Sequence, residues 1–433
     1  MKRVAFKTLG CRLNQYETDA LVTQFHNAGY QVVKFGEASD VTVINTCTVT
    51  NQSDQKSRNY INQATGANPG SVLVVAGCMA NHRKEELEEQ ENITYVVENE
   101  HKNNIFSLVD SHFNGEITHP SVLTGDVFGF ETVQKSLHTR TSIKVQDGCD
   151  NFCTFCIIPR VRGRAASRPA NDIVENVKRV TANGFKEIVI TGVNIGRYDS
   201  EGLRFEDVLE RVLELDGDFR VRISSIEPDG FSDRFPALFN HPKLVPHLHL
   251  CLQSGSDKVL MQMRRMYTVK SYMDIINTFR KQYADFNFTT DIIVGFPGET
   301  REEFMQTCDV VKEAGFSHIH TFRYSQRTGT RAARMTDQVP EKLKAERSEA
   351  IRAISDSNKE RYYNSMLGLN QRVLIEKPDA DGYAKGYGEH YIPVIIPGIK
   401  TEQNEFVNVV LKSVSTDDPS EVVAGLVNEN AAV

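Results

Sequence analysis

The stretch Cys149-Asp150-Asn151-Phe152-Cys153-Thr154-Phe155-Cys156 places three cysteines within eight residues. A 4Fe-4S cluster is normally held by four cysteine thiolates. Because no fourth cysteine lies beside this CxxxCxxC run, a cluster bound here would keep one iron open to a small molecule. The run therefore predicts an iron–sulfur cluster whose protein ligands are Cys149, Cys153 and Cys156.

Zinc binding and disulfide formation are the alternatives for these cysteines. Zinc sites usually combine CxxC pairs that are separated in sequence, and three thiols cannot all pair as disulfides. Eight cysteines in 433 residues are too few for a disulfide scaffold, and thiols kept for metal fit a reducing compartment. The amino-terminal run is too short and polar for a signal peptide, and no apolar run approaches the length of a membrane span. We therefore expect a cytoplasmic protein.

The composition is that of a globular protein, with 40% hydrophobic and 25% charged residues, and the length allows two or three domains. A net charge of −7 argues against a nucleic-acid partner, because phosphate binding depends on Lys and Arg. Arginines nevertheless crowd together at Arg160, Arg162, Arg164 and Arg168, with no acid between them. Arginine favours planar contacts with phosphate, so these residues are candidates for RNA binding; a solvated surface is the alternative.

The first 80 residues repeat one pattern three times. Apolar runs at 4–9, 40–45 and 71–76 each lead directly into a cysteine, and these are Cys11, Cys47 and Cys78. Alternating strands and helices predict a parallel sheet, and the ligands of such sheets lie outside the carboxyl ends of the strands. We therefore expect a second set of three thiolates at one sheet edge, with three unrelated buried cysteines as the alternative.

Six strand-then-helix units follow a connecting segment at 105–138 and suggest an open barrel. The first strand, 142–145, delivers Cys149 to the carboxyl end of the strands, where barrel enzymes carry their active sites. The other five predicted strands are 186–191, 219–225, 244–252, 289–295 and 317–324.

The last part of the chain changes to short strands separated by turns. It follows a charged helical stretch at 341–364. The five candidate strands are 372–376, 382–387, 391–396, 405–414 and 421–426. Five strands suffice for a small closed barrel, which would bind RNA or pack on the enzyme body. The predicted domains are residues 1–115, 135–366 and 367–433.

The CxxxCxxC run resembles the signature of the radical S-adenosylmethionine (radical SAM) enzymes, in which S-adenosylmethionine occupies the open iron. Together with the amino-terminal cysteines and the terminal barrel, it resembles the methylthiotransferases, and the last domain resembles their TRAM domain. The matching motifs lie at 7–17, 45–50, 76–78, 149–164, 252–256 and 291–300.

This resemblance implies a tRNA-modifying transferase with two 4Fe-4S clusters and S-adenosylmethionine. Carbon 2 of a purine is unactivated, so a radical is required, and the cofactor supplies that chemistry. The second cluster, on Cys11, Cys47 and Cys78, would carry the sulfur. Two S-adenosylmethionine molecules per turnover, an external electron donor and the iron–sulfur assembly machinery are further implications.

The motif Gly10-Cys11-Arg12-Leu13-Asn14 resembles the branch that acts on N6-threonylcarbamoyladenosine at position 37 of tRNA. The isopentenyladenosine branch typically has Gln-Met after the cysteine, and the branch that modifies an aspartate of a ribosomal protein has Lys-Asn. Both remain alternatives, and a non-enzymatic iron–sulfur redox sensor that binds RNA is an alternative of another class.

Strand ends supply candidates for holding the rest of S-adenosylmethionine: Gly192, Glu227, Gln253 and Asp291. A turn residue at Gly192 and a paired core acid at Asp291 are the alternatives. RNA recognition favours loop bases that stack on aromatic side chains. We therefore expect the anticodon stem-loop as partner, with Lys385 on the terminal barrel among its contacts, beside tyrosines 383, 387 and 391.

His247, His249 and Cys251 share one face of a predicted strand and superficially suggest zinc. Because barrel interiors are filled by inward-pointing side chains, interior packing is the preferred interpretation.

Overall fold

The computed structural model describes residues 1–134, 136–378 and 382–427. Residues 428–433, at the end of the predicted third domain, lie outside this range. The described chain forms an amino-terminal α/β unit, a central α/β unit and a carboxy-terminal β-barrel. Within the described residues, no helix combines the length and the apolar character needed to cross a membrane.

The amino-terminal unit is a five-stranded parallel sheet with the order β2-β1-β3-β4-β5. Its elements are β1 (Arg3–Thr8), α1 (Arg12–Asn27), β2 (Gln31–Val33), β3 (Val41–Thr46), α2 (Asn51–Ala67), β4 (Val72–Gly77), α3 (Cys78–His82), α4 (Lys84–Glu88), β5 (Tyr95–Val97) and α5 (Ile105–Phe113). Strands β3 and β4 are buried along their whole length, as continuous apolar runs in parallel sheets usually are. The predicted parallel-sheet domain is confirmed.

Helix α5 corrects one prediction, because the sequence placed residues 105–138 in a connection between domains. Ile105, Leu108 and Val109 on this helix are buried in the core of the amino-terminal unit. The helix has only nine residues, so its apolar pattern extends over too few turns to stand out in the sequence.

The central unit contains six parallel strands that lie within or next to the predicted segments. They form two sheets with the orders β12-β9-β6 and β13-β14-β15, and single bridges pair Val221 with Leu244 and Ile226 with Leu250 between them. Its elements are β6 (Thr141–Lys144), β7 (Gln146–Asp147), α6 (Ile158–Val161), β8 (Ala166–Ser167), α7 (Ala170–Ala182), β9 (Glu187–Thr191), β10 (Asp199–Ser200), β11 (Leu203–Arg204), α8 (Phe205–Leu213), β12 (Arg220–Ile223), β13 (His247–His249), α9 (Asp257–Gln262), α10 (Val269–Gln282), β14 (Asn287–Val294), α11 (Arg301–Ala314), β15 (His318–Arg323) and α12 (Glu341–Met366).

The carboxy-terminal unit is a closed barrel with the order β16-β17-β18-β20-β19, which confirms the predicted small β-barrel. Its strands are β16 (Asn370–Pro378), β17 (Tyr383–Tyr387), β18 (Pro393–Pro397), β19 (Phe406–Val414) and β20 (Val422–Leu426). Tyr391, predicted as the start of a strand, lies instead in the turn before β18 and has a left-handed φ of 62°.

A buried cluster of charges joins the amino-terminal and central units. Glu17 on α1 accepts hydrogen bonds from Lys102 at 2.6 Å, from Lys144 on β6 at 2.8 Å and from Arg162 at 3.1 Å. Asp147 accepts from the same arginine at 2.9 Å and also pairs with Lys144. All five side chains are buried. Burial alone would raise the pKa of Glu17, but the three cations lower it well below its usual value.

A second buried charge cluster joins the carboxy-terminal barrel to the central unit. Glu187, at the start of β9, pairs with Arg220 and Arg222 at the start of the neighbouring β12. The Arg220 guanidinium also donates to the backbone oxygens of Arg372 and Tyr387 on the barrel, at 2.7 and 2.9 Å. The barrel therefore packs against the amino ends of the central strands.

Glu17→Gln tests the first cluster, which we call the Glu17 network. The substitution leaves three buried cations with one carboxylate, and loss of one partner of a buried ion pair costs about 3–5 kcal/mol. We expect a lower thermal unfolding midpoint at neutral pH, whereas Glu175→Gln, on the exposed face of α7, should leave it unchanged.

The pH dependence gives an independent check. Because the folded-state pKa of Glu17 is depressed, its stabilisation is present above its usual pKa of 4.5 and is lost as the pH falls below that value. The difference between wild type and Glu17→Gln should therefore shrink on acidification. Equal midpoints at pH 7 would contradict the assigned role.

Candidate active site

The loop after β7 carries Cys149, Cys153 and Cys156. The amide of Cys156 donates to the carbonyl of Cys153 at 3.0 Å, and the amide of Asn151 points to the Cys149 sulfur at 3.5 Å. Burial, together with the neighbouring Cys153 thiol, raises the pKa of Cys156 to about 12. Such a group of thiols suits a metal centre, because coordination by metal ions removes the thiol protons.

Gln146 and Gly148, which lie just before Cys149, fix the path of this loop. The Gln146 side chain donates to the carbonyls of Asp147 and Gly148, and its oxygen accepts from the amide of Asn194 at 2.7 Å. Gly148 has a φ of 67°, and a Cβ on it would collide with the carbonyl oxygen of Arg164. The position therefore requires glycine.

Arg265 lies against the cysteine loop. Its guanidinium donates to the Cys153 sulfur at 3.2 Å, is paired with Glu227 and bonds the Tyr267 hydroxyl at 3.0 Å. Hydrogen bonds to the sulfurs tune the potential of an iron–sulfur cluster. Sequence reasoning missed Arg265, since nothing in its neighbourhood sets it apart from other arginines.

Cys11, Cys47 and Cys78 lie at the carboxyl ends of the adjacent strands β1, β3 and β4. Cys47 and Cys78 are buried, whereas Cys11 is exposed. Burial, with a contribution from the other two thiols, raises the pKa of Cys47 to about 11. A Cβ on Gly10 would lie 2.9 Å from the Cys47 sulfur. The three thiols therefore converge as the strand pattern predicts.

Asn14 and Thr46 hold the three cysteine loops together. The Asn14 side chain donates to the carbonyls of Leu9 and Thr46, at 2.7 and 3.0 Å. The Thr46 hydroxyl donates to the carbonyl of Ala76 and accepts from the amide of Met79, which follows Cys78. The Asn14 oxygen also accepts from Lys102 and Arg162, which links this set of cysteines to the Glu17 network.

The two sets of cysteines are neighbours across the domain interface. Cys78 packs with Ile157, which directly follows Cys156, and with Val161 on the short helix α6. Asn99 approaches the Cys78 sulfur at 3.6 Å and donates to the carbonyl of Val161 at 2.7 Å. All six cysteines are free thiols, so the donors present in both sets fit iron–sulfur clusters.

The four candidate contacts to S-adenosylmethionine lie at or near the carboxyl ends of the central strands. Gly192 and Asp291 line one cavity, and the amide of Gln253 donates to the Asp291 carbonyl at 2.8 Å. Glu227 reaches Cys153 through Arg265. Gln253 has a left-handed φ of 68°, a strained backbone conformation of the kind that clusters at functional sites.

His249 and Cys251 project into the same region. His247 and His249 both bond the Thr289 hydroxyl, at 3.2 and 2.9 Å. Atoms of His249, Cys251 and Asp291 that could bind a metal lie within 4.8 Å of one another, but His249 is already paired with Asp291 at 3.2 Å. These contacts favour the interior-packing interpretation.

The arginines predicted to grip RNA divide into two groups. Arg162 is buried in the Glu17 network, and Arg168 is buried against Asn176 at 2.9 Å, so both guanidinium groups have partners inside the protein and phosphate contacts by these two residues stay a prediction. Arg160 is exposed, and the Arg164 side chain is 74% exposed. Sequence spacing could not separate them because burial depends on the partner domain. Lys385 pairs with Glu421 at 2.8 Å and lines an open cavity of about 1080 Å³.

The cavity that contains Asp291 has a volume of about 590 Å³. Residues from all three units line it, including Cys11 and Arg12 from the first, Gly192 and Arg222 from the second, and Tyr391 from the third. A ligand in this cavity would therefore meet both a candidate cofactor-binding edge and one cysteine of the amino-terminal set.

Comparison with known proteins identifies the class first. Residues 143–311 match the radical SAM superfamily, and residues 3–98 match the family described as uncharacterized protein family UPF0004. The structure of the radical SAM methyltransferase TsrM from Kitasatospora setae superposes with a TM-score of 0.53 at 14% identity, over 74% of this chain and 75% of that one. The chain is thus a radical SAM enzyme, a class that uses a 4Fe-4S cluster and S-adenosylmethionine.

Similarity over nearly the whole length then defines the family. The chain is 38% identical to the threonylcarbamoyladenosine tRNA methylthiotransferase MtaB of Bacillus subtilis, covering 95% of this chain and 94% of the relative. Its identity to the Thermotoga maritima protein of the same name is 36%, over 96% of both chains. The tRNA-2-methylthio-N(6)-dimethylallyladenosine synthase of Opitutus terrae is 33% identical, over 88% and 89%. The chain belongs to the radical SAM methylthiotransferase family.

Two glycines next to the cysteine loop, Gly148 before it and Gly163 beyond α6, provide a matched test of the radical SAM site. Gly148→Ala should displace the loop, because the added Cβ meets the Arg164 carbonyl, and should lower 5′-deoxyadenosine formation at least tenfold. Gly163 also has a left-handed φ, 77°, but open space around it, so Gly163→Ala should retain most of the activity. Similar activity in both variants would contradict this account of the loop.

Proposed function

We propose that this chain transfers a methylthio group to carbon 2 of N6-threonylcarbamoyladenosine at position 37 of tRNA, giving 2-methylthio-N6-threonylcarbamoyladenosine. The proposal rests on the presence of two adjacent sets of three free cysteines. The chain that carries them is 34–38% identical to relatives named for this reaction. One set alone would account for a radical but not for a sulfur donor.

The proposed cofactors are two 4Fe-4S clusters and S-adenosylmethionine, two molecules of which are used per turnover. When bound, they supply a radical able to activate carbon 2 and the methylthio group that replaces its hydrogen. Cys149, Cys153 and Cys156 hold the first cluster, and Cys11, Cys47 and Cys78 hold the second. The contact between Cys78 and Ile157 keeps the two sets adjacent.

The side chains around the cavity position the cofactor and the base. Gly192, Glu227, Gln253 and Asp291 are the proposed contacts to S-adenosylmethionine. Although burial opposes ionisation of Asp291, His249 lowers the pKa of its carboxyl below the usual value. Asp291 is therefore ionised at neutral pH and can accept hydrogen bonds from the cofactor's hydroxyl or amino groups.

The proposed RNA partner is the anticodon stem-loop. Arg160, Arg164 and Lys385 are its candidate phosphate contacts, because their charges reach the surface. The central unit is proposed to be an open barrel of six strand-and-helix units, and the proposed domain limits are 1–115, 135–366 and 367–433. The proposed location is the cytoplasm. The further proposed partners are an external electron donor and the iron–sulfur assembly machinery.

Mass spectrometry of tRNA nucleosides tests the proposed reaction. A strain that lacks this chain should accumulate unmodified N6-threonylcarbamoyladenosine and lose its 2-methylthio derivative, and restoring the gene should reverse both changes. If the ratio is unchanged while 2-methylthio-isopentenyladenosine disappears, the substrate is the isopentenyl nucleoside instead. A reconstituted protein that binds clusters but forms no 5′-deoxyadenosine would be a redox sensor.

Iron content tests the second cluster. Wild type should hold about eight irons per chain, the number for two 4Fe-4S clusters. Gly10→Ala should reduce this to about four, because its Cβ would crowd the Cys47 sulfur. Gly29→Ala is the control, since Gly29 has a similar φ of 85° but no neighbour within 4 Å. About four irons in wild type would remove the proposed sulfur carrier.

A further inference from the structure

The 590 Å³ cavity contains a cation with no acidic partner. The cavity is lined by Arg12, Arg222 and Lys359, and Asp291 is the one carboxylate among its described lining residues. Asp291 pairs with His249 at 3.2 Å, so the cavity carries an excess of positive charge. An excess of buried or half-buried positive charge favours an anionic ligand.

Two of the three cations already have intramolecular partners. Arg222 is paired with Glu187 at 2.8 Å, and Lys359 is paired with Asp356 at 3.2 Å. Arg12 has no carboxylate within ion-pair distance in the part of the chain that the structure describes. Its guanidinium is half-buried and donates to the Tyr391 hydroxyl at 3.3 Å. Arg12 is therefore the cation that is available to a ligand.

Tyr391 is held in place for this contact at a conformational cost. Its φ of 62° is left-handed, and for a bulky residue this conformation is a true outlier that persists only when its surroundings impose it. Its ring stacks on Tyr387 at 5.0 Å and lies 4.8 Å from the His247 ring, with the Arg222 guanidinium 4.6 Å above it. The turn thus delivers an aromatic face and a hydroxyl to the cavity.

We infer that Arg12 and Tyr391 form the subsite that binds the threonyl carboxylate of the substrate base. This assignment rests on the proposed function and adds the residues that select the substrate. The planar guanidinium matches the geometry of a carboxylate, and the Tyr391 hydroxyl can donate its hydrogen to the ligand while it accepts from Arg12. Because Arg12 follows Cys11 directly, a base anchored here lies beside the amino-terminal set of cysteines.

The same subsite predicts rejection of an apolar substituent. An isopentenyl group carries no acceptor and would cover the guanidinium without pairing it, which leaves a desolvated charge unsatisfied. Sites built to pair with a polar substrate group discriminate strongly against analogues that lack it. Selection would therefore come from Arg12 rather than from the size of the cavity.

Two stem-loop RNAs measure this contact directly. One carries N6-threonylcarbamoyladenosine, and the other carries its neutral threonyl methyl ester. With wild type, we expect kcat/KM to be about 10- to 100-fold lower for the ester, the range for loss of a hydrogen bond to a charged group. Arg12→Gln should lower kcat/KM for the acid by a similar factor and reduce the acid-to-ester ratio to about one. Arg179→Gln, on the exposed surface of α7, should behave as wild type.

Fluorescence anisotropy gives a readout that is independent of turnover. The dissociation constants of the two RNAs should differ for wild type and converge for Arg12→Gln. Iron content reports whether the variant disturbs the cysteine beside it. If it does, Tyr391→Phe, which removes only the hydroxyl, should still reduce the acid-to-ester ratio several-fold.

Three outcomes would decide the matter. An acid-to-ester ratio of about one for Arg12→Gln, with a several-fold smaller ratio than wild type for Tyr391→Phe, supports the subsite. Variants that discriminate as strongly as wild type overturn it and leave the proposed function intact. Wild type that methylthiolates neither RNA but accepts an isopentenyl stem-loop overturns the proposed function, and the assignment with it.

Discussion

The buried carboxylate of Glu17 is the constraint on which the architecture depends. It belongs to the first helix, yet its partners are Lys102 between β5 and α5, Lys144 on the first central strand and Arg162 just beyond the CxxxCxxC loop. A buried carboxylate is tolerated only when it is paired and fully hydrogen-bonded. The amino-terminal and central units therefore have one relative position that satisfies all three cations.

This fixed position matters because each unit carries half of the proposed chemistry. Asn14 joins the Glu17 network to the loops that end in Cys11 and Cys47, and Arg162 joins it, through Asp147, to the loop that carries Cys149. The network contains three cations and two carboxylates, so it carries a net positive charge, and its Arg162 lies within electrostatic reach of Cys11 and Cys78. Thiolates of bound clusters would be stabilised by that charge, which is a reason to retain buried ions where apolar residues would pack as well.

The carboxy-terminal barrel forms part of the wall of the cavity that contains Asp291. Arg220 of the central unit, which pairs with Glu187, holds the barrel against the amino ends of the central strands. From there the strained turn at Tyr391 reaches the cavity. One cavity wall thus comes from each unit. A cavity assembled in this way is complete only when all three units are docked, and its lining side chains are far apart in sequence.

Cysteine spacing and strand order follow from short-range rules, and this is why the sequence alone predicted both sets of thiols, the parallel sheet and the terminal barrel; the family came from the resemblance of the motifs. The CxxxCxxC loop is local, and adjacent parallel strands must end at one edge, so Cys11, Cys47 and Cys78 had to converge. Helix α5 escaped prediction because nine residues give too little periodicity.

Only the tertiary structure separated buried from exposed arginines. Arg162 and Arg164 are two residues apart and look equivalent in the sequence, but one is enclosed by Glu17 and Asp147 while the other faces solvent. The same holds for Lys102, Arg265 and Tyr391, whose partners lie on other elements. Burial and pairing of a charge are properties of the docked units, so no local pattern determines them.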